Sequence, residues 1–520
     1  MKKYFYNIIL IILLVIFPFL SLNLSSNYRV LNQEKNIDGT EIILYAETGF
    51  DHSAAVTLDS EGQQHLYTWG KNDAGQLGTG TNTNSLTPIE ITYRFNDVRS
   101  FDDVSLGDDF SSAITTDTSG NQHLYTWGWN LSGQLGNGTN TDSSIPIDIT
   151  YQFENVISFD DVSVGLGQSC LVTTDNLGNQ HLWAWGDDSY GQLGNGTIDK
   201  DSSTPIDITY QFPNQKSFDE ITSGFYDTAT ITTDSEGNQH LWTWGNNYSG
   251  QLGDGTTIDS STPIDITDRF NNRTSFNDIS IGANFLMVIT TDPSDAQHLY
   301  TWGYNEYGQL GIGTTIDSSI PIDITYQFED VASFNDVSTG FDFSSAITTD
   351  TLGNQHLYTW GDNDSGQLGN GTTIDSLIPI DITNQFEDVV SFDQVSLGQF
   401  NSLVIITSSS SQQHLYTWGR NDNGQLGDGT ETNSSNPIVI FSSDIISPHY
   451  IEESFAINES TITTNSFEFS VQFLNDDSYG SLNQNSLSLY SNSNELTTSF
   501  ESQDNNGNSS TYYYKVTNLQ

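Results

Sequence analysis

The chain has 520 residues, 66 acidic and 13 basic, for a formal net charge of −53. So large an excess of carboxylates can neither displace the counterions of a phosphate backbone nor settle on an anionic membrane surface, which excludes nucleic acid and lipid headgroups as direct partners. One cysteine, Cys170, excludes intrachain disulfides and cysteine-based zinc sites, and the 12% aromatic content points to ordered β-structure.

The first element in chain order is a leader. Lys2 and Lys3 precede an apolar run from Ile8 to Leu22 that only Pro18 and Ser21 interrupt. A run of that length suits a secretory leader and is short for a membrane span of about 20 residues. Residues 1–26 are therefore expected to be a signal peptide or an uncleaved anchor. The protein is expected to be secreted or held at the cell surface, with no membrane contact beyond such an anchor.

From residue 38 to 446 the chain repeats itself. His65-Leu66-Tyr67-Thr68-Trp69-Gly70 returns with small changes six more times, and Trp69, Trp127, Trp185, Trp244, Trp302, Trp360 and Trp418 stand 58 residues apart, once 59. Each is followed by Gly-Gln-Leu-Gly, as at Gly75 to Gly78, and then by Pro-Ile-x-Ile, as at Pro88 to Ile91. In the second repeat the pattern predicts strands at Phe101–Leu106, Ser112–Thr116, His123–Trp127 and Ile147–Thr150. His123, Tyr125 and Trp127 alternate there with Leu124 and Thr126, the period of a pleated strand. Gly120 and Asn121 suit a hairpin turn, the run from Gly133 to Gly138 a tight connection, and the proline of the last strand an outer edge.

Four short strands cannot cover both faces of their own sheet. Seven such sheets set radially cover one another, so the fold class is all-β, a seven-bladed β-propeller of four-stranded blades. The first repeat, starting at Glu41-Ile42-Ile43-Leu44-Tyr45, has no Pro-Ile-x-Ile strand before it, and the seventh ends at Pro437-Ile438-Val439-Ile440. The N-terminal strand is therefore expected to complete the blade begun by the C-terminal repeat.

The string Trp-Gly-x-Asn-x-x-Gly-Gln-Leu-Gly-x-Gly, as at Trp69 to Gly80 and Trp360 to Gly371, resembles the regulator of chromosome condensation repeat family. The resemblance covers residues 38–446 and implies a seven-bladed propeller. It also implies an alternative function, guanine-nucleotide exchange on a nuclear GTPase through one face and an inserted wedge. Repeat lengths of 58 or 59 leave no room for a wedge, and no basic tail is present. The fold implied also resembles that of a secreted β-lactamase inhibitory protein, so a secreted enzyme inhibitor is a further alternative. The family's Gly-x-x-His-x-x-Ala survives only in the first repeat, as Gly49, His52 and Ala55.

The repeats differ mainly in two places. After the glycine of the first strand come Asp108-Asp109-Phe110, Phe225-Tyr226-Asp227, Phe341-Asp342-Phe343 and Phe400; after Trp-Gly come Trp129, Tyr190, Tyr248, Tyr304 and Tyr307. Aromatics beside carboxylates at strand ends are expected to form a rim that binds an extracellular protein or glycan, with blade-to-blade packing as the other reading. The seven repeated histidines could form a collar, but identical contacts within each blade are the expected reading, because a metal site must converge on one point. Asp362-Asn363-Asp364-Ser365-Gly366 reads as a turn, with calcium held at most loosely as a counter-ion. Paired carboxylates such as Asp102-Asp103 and Asp160-Asp161 read as solvated turns. No catalytic residue, metal ligand or cofactor site is assigned, and a non-enzymatic scaffold is the expected function. Residues 447–520 are expected to form a partial fibronectin type III-like β-sandwich segment, with strands at Ser466–Phe473, Ser486–Tyr490 and Tyr512–Leu519.

Overall fold

In every repeat, alternating side chains and short turns produce the same series of hairpins. The computed structural model describes residues 41–270 and 273–443 and, beyond them, the backbone of four strands between 466 and 517. The first repeat folds as β1 (Ile42–Thr48), β2 (His52–Leu58), β3 (Gln64–Gly70) and β4 (Ser85–Glu90). These pair in the order β1-β2-β3-β4, and the six following repeats form sheets of the same consecutive order. The protein is a seven-bladed propeller of four-stranded blades.

In blade 2 the strands are Val98–Leu106, Phe110–Asp117, Gln122–Gly128 and Ser143–Asp148. The outer strand starts earlier than its hydrophobic pattern suggests, because Ser143 already pairs with Gly128. Thr150, expected in that strand, instead opens a single 3-10 turn, Thr150–Gln152. Pro146 lies in this outermost strand, where no neighbour needs its missing N–H.

The paired carboxylates are not in solvated turns. Asp102 and Asp103 lie inside the inner strand of blade 2, where a bulge lets Phe101 pair with Thr115 and Asp103 with Ile114. The extra residue turns Asp102 to solvent and leaves Asp103 half-buried at the next blade. The Asp103 carboxylate accepts the Val162 N–H at 3.0 Å, Asp161 accepts that of Ile221, Asp278 that of Val337 and Asp336 that of Val395. Inner-strand carboxylates thus fasten blades 2, 3, 5 and 6 to their successors.

The apolar core lies between blades rather than within them. Phe328, just past the 3-10 turn of blade 5, packs on Phe334, Tyr358 and Trp360 of blade 6 at centroid distances of 5.2, 5.0 and 5.9 Å. Trp360 is fully buried, and its indole N–H donates to the Gln309 carbonyl of blade 5 at 2.8 Å. All seven repeat tryptophans make this bond to the preceding blade, at 2.7–2.9 Å. Trp360→Ala is expected to cost about 3–5 kcal/mol in a urea titration, since it removes a large buried side chain and opens a cavity. Trp360→Phe, which keeps most of the packing and leaves the Gln309 carbonyl bonded to Ser344 Oγ–H at 2.8 Å, is expected to cost about 1 kcal/mol for the one bond lost. Equal losses in the two variants would contradict that division.

Ring closure departs from the expected strand exchange. Ile42–Thr48 is the inner strand of blade 1, and Ser434–Ser442 is the outer strand of blade 7, so each blade is continuous in sequence. The reason is local: only Gly49–Asp51 separates β1 from β2, and a hairpin that short pairs the two strands directly. The seam is closed by side chains instead. Trp69 donates to the Gln425 carbonyl at 2.9 Å, Ala46 N–H to Gln394 Oε1 at 3.0 Å, and Ile43 N–H to Gln413 Oε1 at 2.9 Å.

Equivalent residues at the ends of all seven inner strands line one cavity of about 200 Å³, which places it on the ring axis. Gly49, Gly107, Gly165, Gly224, Gly282, Gly340 and Gly398 stand there, each against the carbonyl of the corresponding glycine in the next blade, and Gly398 against that of Gly49. Any Cβ at these positions would hold the blades apart.

The described residues from 41 to 443 form one compact unit. In the second unit, Ser466–Leu474, Ser509–Thr517, Asn494–Asn506 and Leu489–Ser491 lie side by side in that order in a single antiparallel sheet. The expected strands at 466 and 512 fall in this sheet; a second sandwich layer is not among the described residues. The expected leader, residues 1–26, lies outside the described residues, among which no helix is long and apolar enough to cross a membrane.

Candidate binding face

The repeat motif is used to build loops. After Trp69-Gly70, buried Asn72 donates through Nδ2 to the Thr81 and Thr83 carbonyls at 2.9 and 3.0 Å, and its Oδ1 accepts the Leu77 N–H. Gln76 reaches forward through Nε2 to Asp109 of blade 2 at 2.6 Å. With the motif residues committed to the scaffold, the neighbouring positions are free to vary on the face that carries these loops. Blade 3 alone has Asp188 in place of the asparagine; burial pushes its carboxyl up to about 6, and it accepts Thr197 Oγ1–H at 2.7 Å.

Five of the residues singled out in the sequence join into a band of rings across this face. Tyr190 of blade 3 lies 4.8 Å from Tyr226 of blade 4, which lies 6.0 Å from Phe225. Phe225 meets Phe341 of blade 6 at 4.9 Å, and Phe341 meets Phe400 of blade 7 at 5.5 Å. Phe50 of blade 1, which the sequence comparison missed, completes the crossing at 4.7 Å from Phe225 and 6.4 Å from Phe341. Its signal was its position, one residue after the strand-end glycine, which it shares with Phe225 and Phe341. Phe50, Phe225 and Phe341 belong to three different blades and all line the axial cavity. They meet over it as a plug.

Carboxylates flank the band. Asp108 and Asp109 stand on the blade 2 side, where Lys71 pairs with Asp109 at 2.9 Å. Burial and then Asp109 push the Asp108 carboxyl up to about 7. On the other side Asp342 accepts Gln309 Nε2–H at 2.8 Å and is raised to about 7, first by burial and then by Asp362 and Glu306. Tyr304 donates to Glu306, and Tyr307 lies in the field of the same acidic group.

Other candidates are placed elsewhere. Phe110 and Phe343 are fully buried and Asp227 is 1% exposed, so none of the three faces solvent. They sit at the start of the second strand and pack beneath the axial glycines, in the position held by His52 in blade 1. His52 donates to or accepts from Ser111 Oγ at 2.9 Å, and burial lowers its pKa to about 3. Trp129 is half-buried and Tyr248 is 84% exposed; neither joins the band.

Six of the seven repeat histidines lie between two carboxylates of their own blade, far from one another's sites. His181, for example, has Asp207 at 3.0 Å on Nδ1 and Asp175 at 3.4 Å on Nε2. His414 meets Ser442 Oγ at 2.8 Å instead. The histidines tie each outer strand to its own hairpin turn and form no collar. Among the described residues, Asp362, Asp364 and Asp375 bring one oxygen each within 4.8 Å of one another. Asp362 there accepts the Asp364 N–H and Gln367 Nε2–H, and Asp375 accepts the Asn363 N–H, bonds that close the turn.

The model of the RCC1-like domain matches residues 158–466, more than half of the chain, and that of the regulator of chromosome condensation (RCC1) repeat matches residues 64–114 and 121–172. The chain belongs to the RCC1-like domain family. This RCC1-like propeller is 29% identical over 416 residues to the ultraviolet-B receptor UVR8 of Arabidopsis thaliana, covering 79% of this chain and 85% of the receptor. It is 27% identical over 394 residues to the human E3 ubiquitin-protein ligase HERC2, where the match spans 74% of this chain but 7% of the ligase. Among solved structures, yeast RCC1 (Prp20), determined with Kap60 bound, superposes with a TM-score of 0.57 at 17% identity, over 87% of this chain and 89% of that one. Human WBSCR16 superposes with a TM-score of 0.56 at 17% identity, over 72% and 93%. At such identities the two structures share the fold alone.

Proposed function

We propose that this RCC1-like propeller is a non-enzymatic binding scaffold, exported to the cell surface or beyond, that holds a protein across its loop face. The observation that carries the reading is the aromatic band. Rings from blades 1, 3, 4, 6 and 7 converge on one face with carboxylates around them, and an aromatic centre inside a polar rim is how binding surfaces are built. The described residues present no triad or cofactor cradle at that face. The solved structure of yeast RCC1 with Kap60 bound supports a protein partner, and the apolar N-terminal run supports export.

Full-length protein carrying Tyr190→Ser, Tyr226→Ser and Phe400→Ser tests the reading, because it removes the outer band and leaves the axial plug. Immobilised beside the unaltered protein and exposed to extracellular and surface material, it is expected to lose the captured partner while melting within a few degrees of the parent. Protease treatment of that material should abolish capture and glycosidase treatment should not. Equal capture by both proteins would end the proposal, and loss on glycosidase treatment would turn it towards a glycan.

A further inference from the structure

The loop face is not uniform in charge. Around the seam the chain supplies its own cations: Lys71 pairs with Asp109 at 2.9 Å, and the Arg420 guanidinium stands 5.6 Å from the centre of the Phe400 ring while its Nε bonds Asp422 at 2.8 Å. Both cations also act on buried Asp51 between them. These are the two ways in which a cation is held at such a surface, over a ring face and against a carboxylate.

From blade 3 to blade 6 the same elements recur without the cations. Asp187 acts on Tyr226, and Glu306 and Asp342 stand with Tyr304 and Tyr307. Among the described residues none of these carboxylates is in an ion pair: of the basic side chains in blades 3 to 6, Lys200 and Lys216 are exposed, Arg269 donates to the Asp254 carbonyl, and Arg273 lies over the Phe276 ring and donates to the Gln239 carbonyl. The raised pKa of Asp342 has the same origin, desolvation beside like charges with no cation to offset them. A second copy of the chain, a nucleic acid or an anionic lipid would add negative charge to this sector and be repelled.

We propose that the blade 3 to blade 6 sector takes a cation-rich segment of a partner protein, its arginine or lysine heads lying against Tyr226, Tyr304 and Tyr307 and pairing with Asp187, Glu306 and Asp364. This rests on the reading of the loop face as a protein-binding surface and names the chemistry of the partner there. The partner completes in this sector what Lys71 and Arg420 already do beside the seam.

The experiment uses the full chain and a fluorescent peptide of alternating glycine and arginine, with a peptide of citrulline in place of arginine as the neutral isostere. Binding is measured by anisotropy at physiological ionic strength, where long-range attraction is screened. Two variants remove equal charge: Asp187→Asn, Glu306→Gln and Asp364→Asn on the loop face, and Glu61→Gln, Glu236→Gln and Glu329→Gln, all exposed, on turns at the opposite ends of the strands. The arginine peptide is expected to bind the parent at least about tenfold more tightly than the citrulline peptide. The loop-face variant is expected to weaken it by about tenfold or more, and the opposite-face variant by less than about twofold. Equal weakening by both variants, or none by either, would show diffuse counter-ion attraction and overturn the proposal. So would equal binding of the two peptides. Retention of the natural partner by the Tyr190, Tyr226 and Phe400 variant would instead remove the docking face itself, whatever the peptides do.

Discussion

Gly165→Ala is expected to leave the ring unable to close properly. An added Cβ would lie 2.1 Å from the Gly224 carbonyl oxygen of blade 4 and 2.7 Å from Gln168 Nε2, so backbone as well as side chain must give way. Blades 3 and 4 cannot separate without straining every other junction, because a closed ring has no free end to take up the displacement. A destabilisation of about 3 kcal/mol or more is expected, at the upper end for overpacking in a rigid interior. Gly178→Ala is the control: its φ of +83° carries a strain of about 1–2 kcal/mol, but nothing lies within 4 Å of the new methyl. Urea midpoints of the two variants measure the difference. A Gly165 variant no less stable than the Gly178 variant would show that the axial contacts do not govern closure.

The second large effect is a fall in stability as pH rises from about 4 to about 8. Burial, ahead of any other cause, pushes Glu47 up to about 8, Asp103 and Asp336 to about 7, and Asp161 and Asp278 to about 6. Glu220 is raised in the same way, and it faces Asp278 and Asp161. The other groups acting on the set are also acidic: Asp102 on Asp103, Asp160 on Asp161, and Asp278 on Asp336. The folded state therefore keeps these protons to higher pH than the unfolded chain does. Below the unfolded values both states are protonated and nothing changes; above them stability falls until the folded values are passed. Each pKa unit of difference corresponds to about 1.4 kcal/mol, so six such groups, all half-buried, lower stability by several kcal/mol even after screening by solvent.

At the acid end the sign reverses. Asp117, Asp175 and Asp350 are held down to about 2, chiefly by the side-chain amide and backbone N–H of Asn121, Asn179 and Asn354 in their turns. Their contribution is present above the ordinary carboxylate pKa and is lost as pH falls towards 2. Melting temperature should therefore peak in mild acid. At the seam the inner-strand position is Gln394, which holds the Ala46 N–H without titrating. Gln394→Glu should match the parent near pH 5 and melt lower near pH 8, whereas Asp336→Asn should flatten the slope. A parent that melts as high at pH 8 as at pH 5 would refute the account.

Much of this was legible in the sequence, for a physical reason. Strand period, turn residues and repeat spacing are local properties, so seven copies of His-Leu-Tyr-Thr-Trp-Gly with Gly-Gln-Leu-Gly behind each sufficed for blade number, blade content and family. The positions that vary between repeats also gather on one face, where Tyr190, Phe225, Tyr226, Phe341 and Phe400 meet.

What the tertiary structure decided is everything that depends on which blade lies next to which. Phe110, Asp227 and Phe343 look like loop residues beside their neighbours, yet they begin a strand whose side chains point beneath the axial glycines. Asp103 and Asp161 read as exposed pairs until a bulge turns each towards the following blade. Phe50 enters the band only because the ring brings blade 1 opposite blades 4 and 6. Closure without strand exchange follows from the short Gly49–Asp51 hairpin together with Trp69 meeting Gln425, two residues 356 positions apart. A linear pattern records the period of each blade but not the contacts between blades, and in this propeller those contacts make both the core and the aromatic band of the loop face.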